Sequence, residues 1–210
     1  MDPVLPRPER MPKRSLAAAV CGALGIGALV GAATFFGQGI MPGQWNTLVN
    51  SGAIWLVAPF FVGARLGSRR LAAILGATVL LATVVGYYCV AGLSGAPMST
   101  WMTAFWLGVA LVAGPLYGIA GRWRYDDKRA LRVAGVALLG GVLLAEGLYL
   151  MALLGYFWSG GVMLIAGLLA TVLLARRGDR LATLVALAVA ALAAGSVYLL
   201  LSWLAQLRVV

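Results

Sequence analysis

The sequence contains no histidine and few charged residues. Of its 210 residues only 10% are charged, whereas 62% are hydrophobic. Without histidine, imidazole metal sites, histidine general bases and haem ligation by histidine are excluded. The two cysteines, Cys21 and Cys89, lie in separate apolar runs without motif spacing, which is typical of small packing residues. We therefore expect no cofactor and no metal site.

Motifs of the common catalytic sites are missing as well. There is no P-loop, no CxxC, no paired-carboxylate motif and no triad that contains histidine. The chain also lacks a nucleophile next to a base, so an intramembrane enzyme that acts on a lipid is the least favoured class. We leave enzymatic activity undecided and lean against it.

The shortage of charge indicates that the solvent of this chain is lipid. A soluble domain is roughly a quarter charged, and the mean hydropathy here is +0.97. The net charge of +10 could suggest nucleic acid. However, the basic residues form short clusters between apolar runs, which is the pattern of topology signals and lipid-headgroup contacts. We therefore predict contact with membrane lipids and no nucleic-acid binding.

Seven apolar runs predict about seven transmembrane helices in an all-α, polytopic bundle. They lie near residues 16–36, 48–63, 71–90, 101–120, 133–156, 162–175 and 181–205. Residues 1–14 are polar, basic and proline-rich and are predicted to form a disordered cytoplasmic tail, and residues 15–210 to form one transmembrane domain. The first run could be a signal peptide, but its length and the lack of a cleavage site favour an uncleaved span.

The loops between these runs alternate in charge. Fifteen of the sixteen basic residues fall in the tail and in the loops after the second, fourth and sixth spans. The alternate loops, near 37–47, 91–100 and 157–161, carry no charge, and only Arg208 falls on their side. The positive-inside rule then places the N-terminus in the cytoplasm of a bacterial inner membrane and the C-terminus outside.

Small residues recur at helical spacing in three spans. The first span carries Ala19, Ala23, Gly27 and Gly31, the fourth Ala110, Gly114 and Gly118, and the fifth Ala137, Gly141 and Ala145. Close packing of helices in lipid depends on such residues. The pattern favours either packing inside this bundle or a docking face on the first span for another membrane subunit.

Glu146 is the only acidic residue within a predicted span. A charged group near the bilayer centre costs a few kcal/mol even on lenient insertion scales, roughly 3 for Asp, Lys or Arg. No basic residue lies at the same depth, so hydrogen bonds or protonation are more plausible than a salt bridge. Two interpretations follow: a structural acid bonded to a neighbouring helix, or a contact to a ligand or ion.

The outer half of the bundle collects polar and aromatic side chains. The uncharged loop 37–46 is rich in glycine and amides, and it is predicted to be either a surface turn or a segment folded into the mouth of the bundle. The aromatic excess fits an interfacial belt or a lined pocket. The candidate ligand-binding residues are Glu146, Gln38, Gln44, Asn46, Asn50, Tyr87, Tyr88, Trp101 and Tyr149.

Several short pieces resemble an uncharacterised family of bacterial, mostly actinobacterial, multi-pass membrane proteins. They are Asn50-Ser51-Gly52 with Trp55, Gly86-Tyr87-Tyr88, Gly114-Pro115 with Gly118, and Ala145-Glu146-Gly147. This resemblance implies no activity. More loosely, the chain is similar to the substrate-capture subunits of energy-coupling-factor transporters, which dock through small residues of the first span. Those subunits usually have six spans with both termini inside, and a seventh span departs from that pattern.

Two functions are therefore carried forward. The first is an inner-membrane protein with an outward-facing small-molecule site, in which Glu146 anchors a cationic or hydrogen-bonding group of the ligand, as a component of transport. The second is a non-catalytic accessory or assembly subunit of a larger complex, in which the ladder Ala19, Ala23, Gly27 and Gly31 is the partner face.

Overall fold

The computed structural model describes residues 13–206, and within them the side chains of residues 16–200 and of Trp203. Nearly all of this part of the chain is helical, and seven segments are long and apolar enough to cross a membrane. The predicted all-helical, polytopic fold class is confirmed. The predicted tail falls almost entirely on residues 1–12, outside the described residues, and the first helix already begins at Lys13.

Nine helices make up the described chain. They are α1 (Lys13–Ile40), α2 (Asn46–Val49), α3 (Gly52–Trp55), α4 (Val57–Ala64), α5 (Arg69–Leu93), α6 (Thr100–Trp123), α7 (Arg129–Leu154), α8 (Phe157–Leu174) and α9 (Arg180–Gln206). Short 3₁₀ turns, Gly43–Trp45 and Arg177–Asp179, precede α2 and α9. Five spans are single helices, and the seventh begins with a 3₁₀ turn before α9. The second is assembled from a 3₁₀ turn and α2, α3 and α4.

The second span is broken, which the sequence did not predict. We expected one helix near residues 48–63, but the span begins at Gly43 and its helical geometry stops at Asn50 and Ser51. Ser51 is extended (φ −83°, ψ 123°), and its hydroxyl accepts a hydrogen bond from the N–H of Ile54 at 3.0 Å. Serine at such an N-cap satisfies a backbone donor that a new helix leaves unpaired. Irregular backbone at membrane depth is tolerated only where it is buried in protein or lines a wet cavity.

The spans pack as two groups. In the first group α1 lies on α5, and α4 and α5 both pack against α6. In the second group α7 contacts α8 and α9. The groups meet where α6 packs on α7 and, nearer the outer side, where α2 and α3 contact α8 and α7. The broken span therefore lies at the boundary between the two groups.

The small-residue ladder of α1 faces α5. A Cβ atom added to Gly31 would overlap the carbonyl oxygen of Thr83, and one added to Gly27 would lie 2.6 Å from the Cβ of Ala82. Ala23 is 2% exposed, and Ala19 packs against the same cluster. The ladder thus belongs to internal packing, the first of its two predicted interpretations, because α5 already covers these residues. The other two ladders are also internal, α6 against α5 and α7 against α9.

Ion pairs join the three basic loops at one end of the bundle. Arg69 binds Asp126 at 2.7 Å, which links the loops after spans two and four. Arg129 and Arg132 bind Asp179 at 3.0 and 2.9 Å, which links the loops after spans four and six. The charge alternation in the sequence therefore matches the spatial grouping of these loops, and the positive-inside rule predicts that this end is cytoplasmic.

Replacing Asp126 with asparagine should weaken the fold slightly and only above acidic pH. Burial raises the pKa of the Asp126 carboxyl, but the hydrogen bonds from Arg69 and the N–H of Lys128, with the charges of Arg69 and Arg122, bring it below its usual value. The pKa of Asp126 is lower in the folded state than in the unfolded state, where it is about 3.9, so the ionised carboxylate stabilises the fold above that pH. This stabilisation is lost as the pH falls through the pKa of the folded state. Since Arg69 is half exposed, we expect a loss below about 1 kcal/mol at pH 7.

Thermal unfolding in detergent at several pH values measures this effect. The difference between wild type and Asp126→Asn should shrink from about pH 5 to about pH 3. A difference that does not change with pH would show that the charge of Asp126 contributes nothing.

Candidate functional site

Glu146 lies in the C-terminal part of α7, toward the end of the bundle that is predicted to face outward. It is about two helical turns before the end of the helix at Leu154, whereas the helix begins at Arg129, in a basic loop on the predicted cytoplasmic side. The residue is buried, with 5% of its surface exposed. The carboxyl group therefore lies inside the bundle and nearer to its outer end than to the end that carries the basic loops.

One oxygen of Glu146 accepts hydrogen bonds from two other spans. Oε2 accepts from the hydroxyl of Ser51 at 2.9 Å, from the backbone N–H of Ala53 at 2.8 Å and from the hydroxyl of Tyr198 at 2.7 Å. Ser51 and Ala53 belong to the break of span two, and Tyr198 belongs to α9. The carboxyl group thus joins the broken span of the first group to two helices of the second.

The three partners of Oε2 satisfy the buried carboxyl group in either protonation state. The N–H of Ala53 can only donate, and the Ser51 oxygen already accepts from Ile54, so its own hydrogen is available to Glu146. The Tyr198 hydroxyl can donate to an ionised carboxylate or accept from a neutral acid. Within the described part of the chain the carboxyl group takes part in none of the salt bridges. Hydrogen bonds therefore offset the cost of its burial.

Aromatic rings surround the Glu146 contacts. The ring centroids of Trp55 and Trp106 are 5.5 Å apart, and those of Trp55 and Tyr87 are 6.2 Å apart. The rings of Tyr149 and Tyr198 are stacked, with centroids 5.4 Å apart. We call these five residues the aromatic cluster. The indole N–H of Trp55 donates to the Thr34 hydroxyl at 3.0 Å, which fixes this ring against α1.

Gly52 borders a small space between the aromatic cluster and Glu146. A Cβ atom added there would meet Cη2 of Trp106 at 3.6 Å and the hydroxyl of Tyr198 at 3.9 Å, which are ordinary van der Waals distances. Most glycines at helix contacts in this bundle would instead drive a Cβ into neighbouring backbone, as Gly63 would at Gly118. Gly52 is half-buried, and the preceding Asn50 is exposed. There is therefore room for at least a methyl group beside a residue that leads to the surface.

The predicted outer loop 37–46 is mostly helical, since only residues 41–42 separate α1 from the 3₁₀ turn, and its side chains are hydrogen-bonded to the bundle. Oε1 of Gln38 accepts from the hydroxyl of Tyr87 at 2.8 Å, and Nδ2 of Asn46 donates to the carbonyl oxygen of Gln38 at 2.7 Å. Oε1 of Gln44 accepts from the N–H of Trp158 at the start of α8, at 3.0 Å. The loop thus extends from α1 to α8 over the outer end of the bundle, and its amide side chains hold it there.

The structure does not bring the predicted site residues together in one place. Glu146, Tyr149 and Tyr87 lie in or beside the central network, Gln38, Gln44 and Asn46 hold the outer loop, and Asn50 is exposed at the break. The last two residues lie elsewhere. Tyr88 lines a shallow, open and mostly apolar groove of about 300 Å³ with residues of α5 and α6, and Trp101 is 53% exposed.

Four residues of the central network were not predicted as site residues, namely Ser51, Trp55, Trp106 and Tyr198. Ser51 had a signal, because an Asn-Ser-Gly sequence inside an apolar run can start a new helix. Tyr198 had a weaker one, since it lies at a depth similar to Glu146 in a span of the same direction. The aromatic excess is divided between this cluster and exposed belt residues such as Trp158, which is 71% exposed.

Comparison with known proteins gave one match. The model of a family of unknown function, DUF6518, matches residues 10–203. Neither the curated proteins nor the solved structures gave a match. The match confirms the predicted resemblance to an uncharacterised family, because the matched family has no known function.

Proposed function

The chain belongs to this DUF6518 family, and we propose that it is a bacterial inner-membrane protein that binds a small molecule from the outer side as a component of transport. The observation that supports this best is the Glu146 carboxylate held at the break of span two. Acidic residues are expensive to keep within a bilayer and mark substrate or ion pathways. Many transporters form their substrate sites where a membrane helix is interrupted near the middle of the bilayer.

The position of the site between the two groups of spans also supports transport. Ser51 and Ala53 belong to the first group, and Glu146 and Tyr198 belong to the second. In secondary transporters one bundle moves against another around a fixed site at their boundary. A ligand bound at this boundary would be contacted by both groups, so its affinity would depend on their relative position.

The outer loop and Asn50 support binding from the outer side of the membrane. Gln38, Gln44 and Asn46 place amide groups over the outer end of the bundle, and Asn50 is exposed above Ser51. Aromatic walls with a few convergent polar groups are the usual form of a small-molecule site. In this proposal the loop residues and Tyr87 border the entrance, and Glu146 and Tyr149 lie at its inner end.

Replacing Glu146 with glutamine should remove the bound molecule. The amide keeps the shape but loses the charge, and hydrogen bonds to a charged acceptor contribute about 1.5–3 kcal/mol. We expect at least about a tenfold lower occupancy. The measurement is mass spectrometry of protein purified from its own membranes in mild detergent, with proteins and small molecules recorded together. Asp127→Asn, the same kind of change in a basic loop far from the site, is the control and should retain the molecule.

The same measurement identifies the alternative function. If another membrane subunit co-purifies in fixed ratio and no small molecule is bound to wild type, the chain is an accessory or assembly subunit. Such a partner would have to use a face other than the α1 ladder, because α5 covers Gly27 and Gly31. An equal amount of bound molecule in wild type and in Glu146→Gln would remove Glu146 from the site.

A further inference from the structure

We propose that the predicted cytoplasmic end of the bundle binds an acidic phospholipid of the inner leaflet, with its phosphate beside the turn between α8 and α9. The juxtaposition that carries the inference is a group of four arginines, outside the ion pairs of the described residues, next to an exposed apolar surface. They are Arg124, Arg176, Arg177 and Arg180, and we call them the basic patch. The inference goes beyond the proposed function and does not depend on Glu146.

The basic patch keeps its positive charge because the carboxylate within the turn is bound by other residues. Asp179 is 5% exposed, and its two oxygens bind Arg129 and Arg132 of α7 at 3.0 and 2.9 Å. None of the ion pairs among residues 16–200 includes an arginine of the patch. Like charges that lie close together repel one another, so an anion bound among them lowers the electrostatic energy.

Hydrogen bonds bring Arg124 to this turn and leave donors for a ligand. Nε of Arg124 donates to the carbonyl oxygen of Leu174 at 3.0 Å, and its Nη1 donates to the hydroxyl of Tyr125 at 3.2 Å. That hydroxyl keeps its own hydrogen as a donor. Leu174 is two residues before Arg176, whose buried Nε has no hydrogen-bond partner among the described residues. A buried donor without a partner is costly, so a phosphate oxygen reached by a small rotation of this side chain would stabilise the turn.

The surface next to the basic patch is apolar and exposed, as contact with acyl chains requires. Leu173, near the end of α8, is 70% exposed, and Leu181, at the start of α9, is 78% exposed. One turn further along α9, Val185 is 65% exposed. The lipid-facing surfaces of both helices therefore end at the arginines of the turn, where the headgroups of the inner leaflet are expected.

The charge of the basic patch selects an acidic headgroup over a zwitterionic one. Phosphatidylcholine carries a quaternary ammonium group beside its phosphate, and the arginines would repel it, whereas phosphatidylglycerol carries a net negative charge. Arginine binds phosphate oxygens in pairs through its planar fork of donors. Basic pockets between membrane spans on the cytoplasmic side bind acidic headgroups. A free phosphate offers the same oxygens but has no chains to cover Leu173 and Leu181.

Native mass spectrometry of the full-length protein, delipidated in a neutral detergent, measures this preference. The protein is titrated with phosphatidylglycerol and with phosphatidylcholine that carry identical acyl chains, and the fraction with one bound lipid is recorded. We expect phosphatidylglycerol to bind at least about tenfold more tightly and to raise the melting temperature more than phosphatidylcholine does. Equal affinity for the two lipids would overturn the inference.

Two pairs of substitutions with the same change of charge locate the site. Arg176→Gln with Arg180→Gln removes two charges from the basic patch, whereas Arg65→Gln with Arg70→Gln removes two exposed charges beside span two. All four side chains lie outside the ion pairs of the described residues, so both double variants should fold.

We expect the first pair to lower the affinity for phosphatidylglycerol about tenfold, and the second pair to bind it as wild type does. If both pairs weaken binding equally, the lipid interacts with the whole basic end of the bundle and the assignment to the turn between α8 and α9 is wrong.

Inorganic phosphate distinguishes the lipid from a soluble anion with the same chemistry. At millimolar concentration it should neither displace phosphatidylglycerol nor raise the melting temperature, because it gains nothing from the apolar surface beside the basic patch. Displacement of phosphatidylglycerol by phosphate would show that the arginines bind a free anion and that the lipid is the wrong occupant.

Discussion

Gly118→Leu is expected to prevent the first group of spans from assembling. Gly118 of α6 lies against the backbone of α5, and a Cβ atom there would overlap the carbonyl oxygen of Ala72 and lie 3.1 Å from Cα of Gly76. On its other side, the carbonyl of Gly118 occupies the space that a Cβ on Gly63 of α4 would need. Since backbone atoms cannot move out of the way as a flexible side chain can, a large side chain here forces α6 away from α5 and disturbs its contact with α4.

The magnitude of this effect follows from the size of the substitution. Overpacking by extra methylene groups in a well-packed core costs about 1–3 kcal/mol, so Gly118→Ala should already lower the melting temperature in detergent. A leucine side chain brings several more carbon atoms against backbone, and its cost approaches the whole stability of a domain, about 5–15 kcal/mol. We therefore expect little monodisperse protein from Gly118→Leu and a destabilised but folded Gly118→Ala, measured by size-exclusion chromatography and thermal unfolding.

Gly108 provides the matched control on the same helix. A Cβ atom added to Gly108 meets no atom within 4 Å, because this residue faces outward from the bundle. Gly108→Ala and Gly108→Leu should therefore leave the yield and the melting temperature close to those of wild type. If Gly108→Leu is as damaging as Gly118→Leu, loss of helix–helix packing is not the reason for the effect.

Glu146→Leu is expected to destabilise the contact between the two groups of spans by several kcal/mol. Leucine fills much of the volume but accepts no hydrogen bond, so the Ser51 hydroxyl, the Ala53 N–H and the Tyr198 hydroxyl lose their acceptor. A buried donor without a partner costs about 1–3 kcal/mol. Glu146→Gln keeps an acceptor oxygen and should lose less. The measurement is the free energy of unfolding in detergent for both variants.

Removing one of the donors should recover part of the loss. Tyr198→Phe eliminates a hydroxyl that loses its acceptor in the Glu146→Leu variant, and replacing both partners of a hydrogen bond by apolar groups can be almost neutral. The double variant Glu146→Leu with Tyr198→Phe should therefore be more stable than Glu146→Leu alone. If the effects of the two changes simply add as losses, the hydrogen bond between Glu146 and Tyr198 contributes nothing to stability.

Changes at Glu146 affect both the stability of the bundle and the proposed binding of a ligand. Its carboxylate is a structural contact, since it holds the break of span two against α7 and α9, and it is also the proposed ligand contact. Glu146→Gln is therefore the more informative change for binding and Glu146→Leu for stability. A variant that unfolds gives no information about the ligand, so binding is compared only between variants that remain folded.

Parts of the candidate site were accessible from the sequence. Glu146 was identified because an acidic residue within an apolar span is energetically costly and therefore marks a structural or functional contact. The segment 37–46 was identified because its amides and glycines follow an apolar run and carry no charge, although the structure places Gln38 in the first span and Gln44 and Asn46 in the second. Tyr88 and Trp101 were grouped with these residues by depth alone, and the structure places Tyr88 in a separate groove and leaves Trp101 largely exposed. Depth does not specify which face of a helix a residue occupies relative to its neighbours.

Fold class and the number of spans could be read directly from the amino-acid sequence, which also predicts the orientation of the spans. These properties follow from the length of apolar runs and from the position of basic residues, read against a bilayer of known thickness. They need no knowledge of which helix lies beside which. The small-residue ladders likewise predicted close helix contacts, but without naming their partners.

The contacts of each of these features became known only from the folded bundle. The ladder of α1 packs on α5, the second span is interrupted at Ser51, and Ser51, Ala53 and Tyr198 meet at one oxygen of Glu146. The break at Ser51, Glu146 and Tyr198 are separated by many positions along the chain, and in lipid no hydrophobic gradient selects one helix neighbour over another. The choice of neighbours depends on shape and hydrogen bonding between whole helices, which no local pattern in the sequence contains.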